Sequence, residues 1–131
     1  MNNQKNIVLC GVGGQGTVLA SKLLAAAAMS KDIPVMSAET IGMAQRGGSV
    51  FSHLRMGDNL YSPMIETGTA DLIIGFEPGE TVRMLPYLKD HGHIVVSTRA
   101  VKPVTATLSG SDYDAPQMLE YLKAAVPNLT L

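Results

Sequence analysis

Gly11-Val12-Gly13-Gly14-Gln15-Gly16 is the stretch of this sequence whose spacing can do chemistry. It fits G-x-G-x-x-G, follows a short apolar run and precedes a segment rich in helix formers, the context in which this pattern holds a phosphate. Gly11 permits a tight turn, Gly13 lets backbone N–H groups approach an anion, and Gly16 lets the helix pack closely on the strand. The helix start adds roughly half a positive charge. With Gly14 and Gln15, these residues are expected to cradle a phosphate or carboxylate; a tight turn with no ligand is the plainer alternative. Glu39 lies roughly 20 residues beyond Gly16, where a dinucleotide fold places the acid that takes a ribose hydroxyl. A cap or loop-orienting role is the other reading of Glu39. NAD recognition also lacks support elsewhere, because few residues remain for a substrate region and a proton-transfer group.

The second dense segment is Glu39-Thr40-Ile41-Gly42-Met43-Ala44-Gln45-Arg46-Gly47-Gly48-Ser49. Arg46, beside Gln45 and the pair Gly47-Gly48, suits bidentate contact with phosphate or carboxylate, and is otherwise a solvent-facing turn arginine. This loop and the first glycine loop are expected to meet at the carboxyl ends of the first two strands, where doubly wound folds bind ligands. Glu77 and Glu80 follow another strand at the same edge; acids at a helix start are common for dipole reasons alone, so general-base or partner roles come second. His91 and His93 flank Gly92 and read as solvated loop residues before a strand. His53, in an alternating segment, reads more as strand packing than as a catalytic group. The methionines are mostly core or interface filler.

These residues need elements to position them. Lys5 to Cys10 reads as a buried strand, and Thr17 to Met29 as a helix with Leu19, Leu23, Ala26 and Ala27 on one stripe, its alanines small enough to lie close to a sheet. Val35 to Ala38 is a second strand. Ser49 to Met56 alternates, which predicts a half-exposed strand, and Leu60 to Ile65 reads as a short edge strand with Pro63 tolerated at the edge. Asp71 to Phe76 is a buried strand, Pro78 to about Lys89 a helix, and His93 to Thr98 a strand. Asp114 caps and Pro116 starts a last helix through Ala125, and Leu129 to Leu131 opens a further strand. The alternation predicts one α/β domain over residues 1–131: a doubly wound, mostly parallel Rossmann-like sheet, helices on both faces, with room for antiparallel edge strands. Because the pattern breaks off as a strand begins, the domain reads as incomplete at its C-terminus.

The bulk numbers narrow the partners. A formal net charge of −1 and 16% charged residues argue against a nucleic-acid or anionic-membrane partner recruited by charge. Cys10 is the one cysteine, so no intramolecular disulfide, iron–sulfur centre or structural zinc can be built from this chain, and no metal site is expected. The start MNNQKN lacks the apolar core of a signal peptide, and the apolar stretch Val18 to Met29 is too short and interrupted to span a bilayer. A cytoplasmic protein with no membrane partner is expected.

Gly13 to Gly16, the segment Glu39 to Ser49 and Phe76-Glu77-Pro78-Gly79-Glu80 together resemble the gamma-type domain of 2-oxoacid:ferredoxin oxidoreductases. Within that family they are similar in particular to the small (beta) subunit of indolepyruvate:ferredoxin oxidoreductases. The resemblance runs from about Asn6 to Thr98, and family members continue past the end of this chain. It implies a subunit of a complex of anaerobic metabolism that oxidatively decarboxylates indolepyruvate, pyruvate or a similar 2-oxoacid to an acyl-CoA. By the same resemblance, thiamine diphosphate, magnesium and iron–sulfur clusters reside in a large partner subunit, and ferredoxin is met indirectly. Gly13 to Gly16 and Gln45 to Gly48 would face the shared cleft or coenzyme A. The chain would be inactive alone, and could self-associate as a homodimer without its partner. Two other classes stay open: a free-standing NAD(P)-binding enzyme, and a non-catalytic nucleotide-binding or assembly module.

Overall fold

A computed structural model describes residues 4–40, 48–100 and 115–131. In chain order they form β1 (Lys5–Val12), α1 (Thr17–Ser30), β2 (Val35–Thr40), β3 (Ser49–Met56), β4 (Ala70–Gly75), α2 (Pro78–Arg83), a 3-10 turn (Leu85–Tyr87), β5 (Leu88–Val96), α3 (Ala115–Ala125) and β6 (Asn128–Thr130). The strands make one six-stranded sheet in the order β2-β3-β1-β4-β5-β6. β1, β4, β5 and β6 pair in parallel, while β3 runs antiparallel to both β1 and β2. The sheet is mostly parallel, as predicted, but its antiparallel strand lies inside it, between β1 and β2, and not at an edge.

Side chains alternate across β1. Val8 and Cys10 join Ile73, Ile94, Val96, Leu122 and Val126 in one buried cluster, on the face where α2 and α3 pack. Each aliphatic side chain buried there contributes about 1.5–3 kcal/mol. Gly11 alternates with Cys10, and a methyl group on it would lie 2.8 Å from Thr17 Oγ1 on the other face, so α1 covers the opposite side. Helices therefore flank both faces. α1 is turned relative to its hydropathy, however. Thr17, Ser21 and Ala28 face the sheet, whereas Leu19 and Leu23, predicted as the packed stripe, are 61% and 62% exposed. The close approach of Thr17 to Gly11 sets this rotation, and it is Leu24, three residues on from Ser21, that is half-buried on the same stripe.

Four further expectations change. β3 is not half-exposed: Ser52 and His53, on opposite faces, are both buried, because an interior strand is covered on two sides. The segment from Leu60 to Ile65 forms no strand. Its Ile65 N–H donates instead to His53 Nδ1 at 2.9 Å. α2 stops at Arg83 and a 3-10 turn carries Pro86, which has no N–H to continue a helix. His91 and His93 lie inside β5, where the pairing with β4 shifts register between Ala70 and Leu72 and His91 takes a φ of 63°.

His53 sits opposite Val8 and Ala38, with its ring against Phe51 and edge-on to Tyr87, centroids 5.5 and 5.1 Å away. Nδ1 accepts a backbone N–H, so the proton belongs on Nε2, which has no hydrogen-bond partner among the described residues. Burial lowers its pKa from the usual value of 6.5. A histidine held neutral in the fold takes up its proton more readily when unfolded, so its stabilisation is complete above pH 6.5 and is lost as pH falls below it. The melting temperature of the native chain relative to His53→Phe should therefore drop by several degrees between pH 7 and 5. A difference that stays flat across that window in calorimetric scans would show the ring to be solvated.

Candidate functional site

The carboxyl ends of β1 and β4 and the start of β3 meet at one edge of the sheet. The glycine turn is present there, but two of its roles are exchanged: Gly16, like Gly14, supplies a positive φ (89° and 95°) with open space around it, whereas Gly11, inside β1, is the glycine that allows the close approach of Thr17. Gly13 N–H donates to Gly48 O at 2.8 Å, so the two glycine segments meet as expected. Gln45, Arg46 and Gly47 lie outside the described residues. Gly16 caps α1 with no side-chain bond, and the first turn carries no acid. The N–H groups of Thr17, Val18 and Leu19 consequently have no acceptor among the described residues, which is the arrangement that attracts an anion. A cavity of about 440 Å³ opens beside them, walled by Val12, Val18, Leu19 and Val50.

Gln15 acts from within the turn. Its Oε1 accepts the Val12 N–H at 2.7 Å and its Nε2 donates to Phe76 O at 3.1 Å, tying the end of β1 to the end of β4. That side chain fills the crevice at the topological switch point, between strands whose crossovers run in opposite directions. Gly11 lies beneath it, and a Cβ there would meet Gln15 Oε1 at 2.8 Å. Glu39 is not brought to the turn. It pairs with Ser52, which pairs with Leu9, so it stands two strands and roughly 10 Å from β1, level with the strand body below the loop.

On the α2 face, Glu77 and Glu80 are 0% and 3% exposed. Glu77 is the N-cap of α2 and accepts the Glu80 N–H at 3.0 Å. Ser49 Oγ donates to Glu80 Oε1 at 2.9 Å. Burial raises the Glu80 pKa from its ordinary value, and the Ser49 hydroxyl and Arg83 oppose that rise. Thr81 Oγ1 donates to Glu77 O at 2.7 Å and receives the Cys10 thiol at 3.9 Å. Burial pushes that thiol up to about 12, which keeps it neutral and unreactive. Sequence reasoning did not single out Ser49 or Thr17 as positioning groups. Nothing in their type or spacing marks them, because the partners are set by strand order and by the turn of α1.

The sole cysteine is buried, and among the described residues no three His, Cys, Asp or Glu side chains gather to hold an ion. Also among them, no helix is long and apolar enough to cross a membrane.

An open, mostly parallel sheet with a glycine turn at its carboxyl edge, a tethered second glycine segment and a plugged switch point defines a Rossmann-like domain. Residues 6–127 match the family described as Pyruvate ferredoxin/flavodoxin oxidoreductase, and the chain belongs to that family. It is 42% identical over 108 residues to the indolepyruvate oxidoreductase subunit IorB of Methanothermobacter thermautotrophicus, covering 82% of this chain and 55% of that one. The Archaeoglobus fulgidus subunit of the same name is 39% identical, with 95% of this chain and 62% of that one covered. The chain thus spans little more than half the length of these relatives. A solved 2-oxoglutarate:ferredoxin oxidoreductase from Magnetococcus marinus shares the fold at a TM-score of 0.66 and 19% identity, over 87% of this chain and 18% of that much longer one.

Proposed function

We propose that this chain is the small subunit of a cytoplasmic 2-oxoacid:ferredoxin oxidoreductase. It works with a large subunit that carries thiamine diphosphate, magnesium and iron–sulfur clusters and passes electrons to ferredoxin. The observation that carries this reading is its identity of about 40% over most of its length to indolepyruvate oxidoreductase subunits. Indolepyruvate is accordingly the first substrate to test, and pyruvate the second. The complex converts the 2-oxoacid to an acyl-CoA, and the residues of this chain bind and orient but do not carry the redox chemistry. The Magnetococcus marinus structure holds coenzyme A, and coenzyme A is the ligand assigned here to the glycine turn. Its phosphates suit the N–H groups at the start of α1 that have no acceptor among the described residues, with Gly13, Gly14 and Gly16 exposing backbone and Gly48 tethered beside them; Gln45, Arg46 and Gly47 are assigned to the same ligand from their sequence. Leu19 and Leu23, left on the surface of α1, give the large subunit apolar area to cover. A plugged switch point and the distance of Glu39 speak against the free-standing NAD(P) enzyme.

The reading predicts no turnover by the chain alone and indolepyruvate- or pyruvate-dependent dye reduction once the large subunit is added. Equal activity of the large subunit without this chain would sink it. Calorimetry on the reconstituted complex should show coenzyme A binding and no comparable heat from NAD or NADP. Tight dinucleotide binding with no response to coenzyme A would instead favour the free-standing enzyme.

A further inference from the structure

At the opposite end of β1 the sheet carries a second polar cleft of about 710 Å³, bordered by Gln4, Lys5, Asn6, Arg55, Ser62 and Thr69. The guanidinium of Arg55 is half-buried there and held in place by three acceptors. Nε donates to Asn6 Oδ1 at 3.0 Å, one terminal nitrogen to Ser62 O at 2.9 Å, and the other to Gln4 Oε1 at 3.2 Å. All three acceptors are neutral. The two carboxylates in the cleft wall do not neutralise it. Asp71 is engaged by Lys89 and by the Asn6 N–H at 2.8 Å. Glu66 is exposed and makes no ion pair with Arg55. Three of the five guanidinium N–H donors are used, so one remains on each terminal nitrogen. A partly desolvated cation, fixed by neutral groups and lacking a counter-charge among the described residues, is an arrangement that an anion completes. Lys5, on the same rim, adds a positive charge that also acts on Asp71.

We infer that this cleft is a binding site for a small oxyanion, a phosphate or carboxylate group held by the Arg55 fork with Lys5 in support. It lies roughly 20 Å from the glycine turn, the length of β1, and does not depend on the function proposed above. The test is a titration of the 15N-labelled chain with inorganic phosphate and, separately, with acetate at fixed ionic strength, following the Arg55 Nε resonance. Saturable shifts in the millimolar range are expected with at least one of the two, and the anion that saturates identifies the group recognised. Arg55→Gln should abolish the response. Arg55→Lys, which keeps the charge and loses the fork, should weaken it about tenfold. Lys5→Gln removes no hydrogen bond that holds Arg55, so it leaves the fold as it is and should weaken binding several-fold even if the Arg55 variants fail to fold. Shifts that grow linearly without saturating, or saturable shifts confined to Gly13 to Val18 with Arg55 silent, would overturn the inference.

Discussion

Replacing Gly75 by alanine should lower the stability of the chain by about 3 kcal/mol or more, at the upper end of what an added methyl group does in a packed core. Gly75 ends β4, between Cys10 of β1 and Val96 of β5. A Cβ there would fall 1.8 Å from Thr81 Oγ1 and within 3.0 Å of the Thr81 Cβ and Cγ2. What this glycine supplies is room for a close approach. Thr81 cannot swing aside cheaply, because its hydroxyl is fully buried and bonded to Glu77 O at 2.7 Å. α2 would have to lift from the sheet, taking with it Glu77 and the Glu80–Ser49 bond that fastens α2 to the start of β3. Urea denaturation should show a lower midpoint at an unchanged slope. Thr81→Ala in the same chain removes the nearest clashing atom, so the double variant should recover part of the loss, a coupling that independent sites would not show. A Gly75→Ala chain within 1 kcal/mol of the native one would mean that α2 does not sit where it is described.

Gly75 also shows which parts of this fold could be read from the sequence. The glycine turn was legible because its signal is local: a strand, three glycines at fixed spacing and a helix start within about 25 residues. The buried strands β1 and β4 were legible from apolar runs, and the stop at Pro86 is a local signal that the long helix reading overlooked. Strand order is different in kind. Alternation in Ser49 to Met56 fixes which residues share a face, but not that β3 inserts between β1 and β2 and is covered on both sides. That single insertion separates Glu39 from the turn, although its spacing in the sequence fits a dinucleotide fold. α1 misled for a related reason. Hydropathy places Leu19 and Leu23 inward, whereas the helix buries Thr17, Ser21 and Ala28 instead, with Thr17 close against Gly11. The Arg55 cleft joins residues 4 to 6 with residues 55, 62 and 69, and no pattern within one segment announces it.

Gln15→Ala tests the glycine turn from inside, and its expected effect is second only to that of Gly75. The Gln15 side chain makes one bond to each strand end, and removing it strands two backbone groups at once. The Val12 N–H loses its acceptor in a residue that is buried, and Phe76 O loses the amide donor. Leaving a buried backbone group unpaired costs about 1–3 kcal/mol, so a combined loss of roughly 2–4 kcal/mol is expected, less if water enters the vacated crevice. Gln15→Glu separates the two bonds. A carboxylate still accepts from Val12 N–H but presents a lone pair to Phe76 O, so it should be no more stable than alanine near neutral pH. Function supplies an independent readout. In the reconstituted complex the variant keeps every group proposed to touch coenzyme A, yet loses the brace that fixes the path from Gly13 to Gly16. The KM for coenzyme A should then rise by about tenfold while kcat at saturation changes little, because the lost interaction serves binding and not the chemical step. A fall in kcat with KM unchanged would place the turn against the reacting atoms of the large subunit and not against the coenzyme. Unchanged stability would show that β1 and β4 need no brace at their diverging ends.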